Sequence, residues 1–326
     1  MTAPSAASPS HGAPHRADAS ILDAILSPPP AVEYPNAASF FRALASAAPS
    51  MTPVDAAIVG GTLVDRLGYA FAGGYTAALH ALVPALPRGG VAALAATEEG
   101  GAHPRAIKTT IVRDGDACVL HGQKRWTTLG PEGAEILVVG AWAESLTEAR
   151  PRLAVVRVPS DAPGVTLEPL GAMPFIPEIP HASVRLDGVR VPSSKVLPGD
   201  GYADYLKPFR TVEDVHVHAA LFAFLGAIAV RARLDRAIVE RIVTAVVTAR
   251  GLAALDPTAP SVHIALAGLI AESRGIVGAL DAVWDRVAEP TRSLFQRDRS
   301  LLGVASKARA ARREAAWDAL TSGGSD

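Results

Sequence analysis

The chain has 326 residues, of which 49% are hydrophobic and 19% charged, and its formal net charge is −1. This excludes a disordered chain and leaves no electrostatic footprint for nucleic acid, and the length exceeds one ordinary compact domain. The single cysteine, Cys118, excludes an internal disulfide and makes a reducing, cytoplasmic setting the expectation.

Residues 1–19 are rich in Ala, Pro, Ser and His, without a basic start and apolar run, so they read as a disordered tail and not a secretory signal. Residues 20–90 read as a short helical domain. Leu63, Leu67, Phe71, Ala78, Leu82 and Leu86 recur at helical spacing, and Pro28-Pro29-Pro30 and Pro53 keep the earlier helices short. Gly60-Gly61 and Gly73-Gly74 do not follow a strand as a phosphate loop would, and are expected to let helices approach closely.

Over residues 91–200 the period changes to two. Apolar runs on either side of Asp114-Gly115-Asp116 predict a hairpin. Short runs at Ile136–Val139, Leu153–Val156, Val165–Leu167 and Ser183–Leu186 predict further strands, and their spacing predicts an antiparallel sandwich or barrel. Residues 201–326 return to the helical period. One stripe runs from Val262 through Leu269 and Val277 to Val287, and a small-sided one through Val304, Ala308, Ala311, Ala315 and Ala319, so a helical bundle is expected. The fold class is therefore α+β. Apolar stretches such as Ala219–Val230 are short for a membrane span, and no membrane partner is expected.

His216-Val217-His218 is a poor metal pair, because residues two apart on a helix point to different faces; no metal is expected. Lys307, Arg309, Arg312 and Arg313 read as a solvated helix face, with contact to the phosphates of a ligand or to an acidic partner surface as the alternative. Cys118 reads as a buried, inert thiol.

Five segments in order resemble the acyl-CoA dehydrogenase family. Thr97-Glu98 before Glu99-Gly100-Gly101 resembles its T-E-P-G-A-G-S-D segment, and Gly122-Gln123-Lys124-Arg125-Trp126-Thr127-Thr128 resembles its G-x-K-x-W-I-T-N segment. Asp161-Ala162-Pro163-Gly164-Val165, Leu186-Asp187-Gly188-Val189-Arg190-Val191-Pro192 and Leu197-Pro198-Gly199-Asp200-Gly201 continue the pattern. The resemblance implies a helix–sheet–helix fold, FAD as cofactor and oxidation of the CH–CH group of an acyl thioester carried on CoA or an acyl carrier. It places Thr97, Trp126 and Thr128 where the family contacts the isoalloxazine ring. On the residues alone, Trp126 reads as a sandwich-core tryptophan at a strand end.

Four departures accompany it. The helical stretch expected before the sheet is compressed to Pro87-Arg88-Gly89-Gly90, and Ala102-His103-Pro104 replaces the family's G-S-D. No R-x-x-F-G motif lies between Arg231 and Pro260, and the family's glycine-rich loop and catalytic glutamate are expected beyond Gly324, so the C-terminal helical domain reads as truncated. Where some members carry the glutamate on the first C-terminal helix, this chain has His216, with Glu213 close by; these two are the candidate bases. The alternatives are a catalytically incomplete partner subunit of a hetero-oligomeric acyl-CoA dehydrogenase, or a flavin-free acyl-thioester-binding derivative. A homo- or hetero-oligomer with related subunits is expected.

Overall fold

The computed structural model describes residues 17–87, 89–101 and 103–322. Residues 1–16 of the expected tail lie outside the described residues. Four helices come first: α1 (Ala17–Leu26), α2 (Ala37–Ala47), α3 (Pro53–Leu63) and α4 (Leu67–Leu82). Local chemistry starts two of them. Asn36 and Ser39 form a reciprocal capping box on α2, and Thr52 accepts from the Asp55 amide with Pro53 in the first turn of α3.

Seven strands follow: β1 (Ala92–Ala95), β2 (Thr110–Asp114), β3 (Ala117–Thr128), β4 (Glu135–Trp142), β5 (Leu153–Pro159), β6 (Val165–Pro169) and β7 (His181–Pro192). They form one sheet in the order β1-β4-β2-β3-β7-β6, with β5 on β4. The β2–β3 hairpin forms as expected, with Gly115 at φ 63° in the turn. The sheet is mixed, however, and not antiparallel throughout, because β4 runs parallel to both β1 and β2. Alternation of apolar residues reports which face is buried and carries no strand direction. The mark of a doubly covered strand is an unbroken apolar run, and β4 has one. Its Leu137, Val139 and Ala141 join the core shared with the helices, while Ile136 and Val138 join a second core inside the curled sheet with Ile111, Leu120, Val156 and Val184.

A π-helical turn (Gly201–Leu206) leads into α5 (Lys207–Arg231), followed by α6 (Arg236–Ala253), α7 (Pro260–Asp281), α8 (Thr291–Asp298) and α9 (Ser306–Ser322). Helix α5 is the hub and packs against α3, α4 and α6. A Cβ on Gly61 would run into the Ala220 carbonyl, and one on Gly74 into the backbone of His216 and Val217. Both glycine pairs thus serve close helix approach, as read from the sequence. Two helical segments, Gly201–Arg231 and Pro260–Asp281, are long and apolar enough to cross a membrane by length and composition; the first is mostly buried within the protein. The small-sided stripe of α9 does not pack. Ala308, Ala311, Ala315 and Ala319 are exposed, and the helix turns Arg309, Arg312 and Ala316 inward. The reason is electrostatic: both arginines reach Asp214 on α5.

Candidate active site: an exposed tryptophan wall and a helical seam

Three segments of the sheet come together at one wall. β1 delivers Thr97 two residues past its end, and the Arg125 amide donates to the Thr97 carbonyl at 2.8 Å. The β3–β7 register slips between Lys124 and Thr127, and within that slip Trp126 adopts φ 58°. A left-handed tryptophan is uncommon and marks a position held by its surroundings. It leaves Trp126 50% exposed beside Thr128, so Trp126 is not a core residue. Thr97 and Thr128 are part-exposed, and among the described residues neither hydroxyl has a hydrogen-bond partner.

Beneath the wall lies a buried clasp. Lys124 is 0% exposed and its Nζ donates to Glu98 Oε1 at 2.6 Å. Glu98 also accepts from the Lys108 amide (2.8 Å), the Thr109 amide (3.0 Å) and the Thr109 hydroxyl (2.8 Å). Burial works to raise the Glu98 carboxyl, but the Lys124 charge and these donors together hold it below the ordinary carboxylate value. Burial lowers Lys124 to about 8, with Glu98 opposing. Both residues lie inside the motifs quoted above, yet only the coordinates show that they join the Thr97 loop to the Trp126 strand.

A second feature is the seam between α4 and α5, whose cavity is lined by none of the three wall residues. Glu213 lines a cavity of about 170 Å³ with Leu67, Phe71, Leu301 and Leu302. It has no hydrogen-bond or ion-pair partner among the described residues, and burial, reinforced by Asp214, pushes its carboxyl up to about 7. The neighbouring Tyr75 ties this seam to β1: its hydroxyl accepts from the Leu94 amide, its ring meets Phe209 of α5 edge-on, and burial, with Glu213 adding to it, raises its pKa. Asp214 is opposite in character. Arg309 and Arg312 reach it at 2.7 and 2.5 Å and overcome burial to hold it low. Part of the basic run is therefore a buried anchor. Two arginines three apart on one helix face were the available signal, but nothing in the sequence tied them to Asp214.

His216 is not beside Glu213. It lines a different cavity, its Nδ1 donates to the Val212 carbonyl at 2.7 Å, and burial lowers it to about 4. His218 Nδ1 donates to the Asp214 carbonyl at 2.6 Å, and burial lowers it to about 4 as well. Among the described residues no group of three or more His, Cys, Asp or Glu side chains could hold a metal ion. Cys118 is buried, and burial raises its thiol.

Residues 93–189 match the model of the acyl-CoA dehydrogenase middle domain. The chain is 33% identical over 100 residues to acyl-CoA dehydrogenase family member 11 of Rattus norvegicus, and 35% identical over 113 residues to acyl-CoA dehydrogenase FadE12 of Mycobacterium tuberculosis. Those matches cover 29% and 34% of this chain but only 13% and 28% of the relatives. The fold likeness is longer. A glutaryl-CoA dehydrogenase of Mycobacterium smegmatis, solved with FADH2, superposes with a TM-score of 0.65 at 13% identity, covering 93% of this chain and 95% of that one. The prolyl acyl carrier protein oxidase AnaB superposes with a TM-score of 0.64 at 15% identity, covering 94% and 100%. Residues 93–189 are thus an acyl-CoA dehydrogenase middle domain, and the helix–sheet–helix frame around them has the acyl-CoA dehydrogenase fold.

The wall fits a flavin ring. An outward indole offers an aromatic face, and two unengaged threonine hydroxyls offer donors to a heteroatom edge.

Proposed function

We propose that the chain is a flavin-dependent acyl-thioester oxidoreductase of the acyl-CoA dehydrogenase type, with Glu213 as the base. The observation that carries this reading is the unpaired Glu213 carboxyl at about 7. Ordinary carboxylates are too weakly basic to take a proton from a carbon next to a thioester, and a base matched to neutral pH is far more effective. Glu213 receives the α-proton on a carboxylate oxygen. The apolar side chains of Leu67, Phe71, Leu301 and Leu302 keep water from competing for it. Thr97 and Thr128 would hold the flavin through their hydroxyls and Trp126 through its indole. Bound FAD supplies the two-electron acceptor chemistry that no side chain here can. His216 is the weaker base, because burial lowers its pKa to about 4 and it lines the other cavity. The substrate is an acyl group on CoA or on an acyl carrier, and the setting is cytoplasmic.

A second reading is supported by two exposures. Trp126 is half exposed, and α9 leaves Trp317 and Leu320 at its surface. Both would be covered if the chain worked as one subunit of an assembly with acyl-CoA dehydrogenase-like partners, a site completed across an interface.

The test is the visible spectrum of the purified chain after FAD addition. The first reading expects flavin uptake that Trp126→Ala weakens at least tenfold. Uptake only when a related subunit is co-expressed supports the second reading. No uptake in either case overturns both.

A further inference from the structure

The cavity at Glu213 has an open end and a buried end. Val304 at its mouth is 49% exposed, whereas Leu67 and Leu221 are each 2% exposed. Glu213, Val217 and Leu221 follow at steps of four along one face of α5, and Leu67 and Phe71, again four apart, stand opposite them on α4. A larger cavity of about 940 Å³ lies on the other side of this seam, at Gly73, Ala77 and His216, and the two spaces share no lining residue. The contact at Gly74 divides them. A Cβ there would stand 2.6 Å from Val217 Cα and 2.8 Å from the His216 carbonyl oxygen. Helices packed that closely leave no gap through which a hydrocarbon chain could pass.

The other polar residues of the small cavity are engaged with one another. Asp214 pairs with Arg309, Arg309 also donates to the Leu302 carbonyl, and His218 Nδ1 donates to the Asp214 carbonyl. The surface left to a ligand is mainly carbon. Pockets that enclose a whole small molecule run to roughly 300–1,000 Å³. At roughly 30 Å³ per heavy atom, 170 Å³ holds about five or six atoms, the end of a molecule and not all of it.

We infer that the acyl group taken at this site is short and apolar, about four to six carbons long, and that Leu67 and Leu221 at the buried end set the limit. The inference rests on the reading of Glu213 as the base, which brings the α-carbon to this cavity. The rest of the acyl group then has only this space to enter, with CoA or the carrier outside the mouth. A long chain would need the larger cavity, and the Gly74 contact closes that route.

The experiment reads binding and not turnover. S-alkyl-CoA thioethers with chains of two, four, six, eight and twelve carbons lack the carbonyl that makes an α-proton acidic. They are titrated by calorimetry into the full chain with FAD present. Affinity is expected to rise about fourfold per methylene up to about six carbons and no further at eight and twelve. Leu221→Ala removes three carbons from the buried end and is expected to move the break about three carbons further. Phe71→Ala opens the same cavity from α4 and serves if Leu221→Ala does not fold, with circular dichroism as the check. An affinity that climbs through twelve carbons, a series that is flat from two carbons on, or a break that the folded variants leave in place would overturn the inference while leaving Glu213 as the base. Failure of every thioether to bind would overturn the thioester reading along with it.

Discussion

Glu98 is buried in the sheet domain and Glu213 part-buried on the helical seam, and their surroundings treat them in opposite ways. Glu98 meets a lysine, two amides and a hydroxyl, and stays an anion. Glu213 meets leucines and a phenylalanine, has an anionic neighbour in Asp214, and holds its proton to about 7. The same residue type is a structural clasp in one region and the proposed proton acceptor in the other. What separates them is the number of donors within reach, since burial acts on both in the same direction.

The sharpest way to break that contrast is Lys124→Met, which leaves Glu98 buried without its cation. Removing one partner of a buried pair costs about 3–5 kcal/mol, read as a shift in the urea midpoint, and Trp126 fluorescence should change with it as the wall loosens. A variant as stable as the parent would show that the clasp does not hold the wall. Asp214→Asn comes next. It strands Arg309 and Arg312 and should cost about 2–3 kcal/mol. It also removes the anion beside Glu213, so the Glu213 pKa should fall, which the pH profile of activity would register.

The smallest effect is the stability difference between the parent and Glu213→Gln as a function of pH. The folded pKa of Glu213 lies above its ordinary value of 4.5, so its proton favours the folded state. The contribution is complete below about 4.5 and is lost as pH rises through about 7. It amounts to roughly 1–2 kcal/mol once solvent screening of the part-exposed carboxyl is allowed for. His216 and His218, both lowered to about 4, act with opposite sign, adding stability above 6.5 that is lost as pH falls. Subtracting the variant's curve from the parent's isolates Glu213, and a flat difference would mean an ordinary carboxylate.

Much of the sheet was legible because turn chemistry is local. Asp114-Gly115 marks its hairpin without help from the rest of the chain. The parallel direction of β4 was not, since it depends on which strands β4 inserts between. Thr97, Trp126 and Thr128 were reachable through motif order alone, and the indole's exposure follows from a backbone φ that no composition encodes. The alanines of α9 looked like a packing stripe, but burying two arginines against Asp214 decided which face turns inward. The large cavity was invisible because its lining comes from five separate helices and the linkers between them, each contributing a few residues.

The most direct test of Glu213 as base is anaerobic addition of an acyl-CoA to the FAD-loaded chain and to its Glu213→Gln variant, following the flavin's visible band. The account predicts that the parent's band bleaches while the variant binds FAD equally and bleaches at least a hundredfold more slowly. Bleaching at the same rate in both proteins would contradict it.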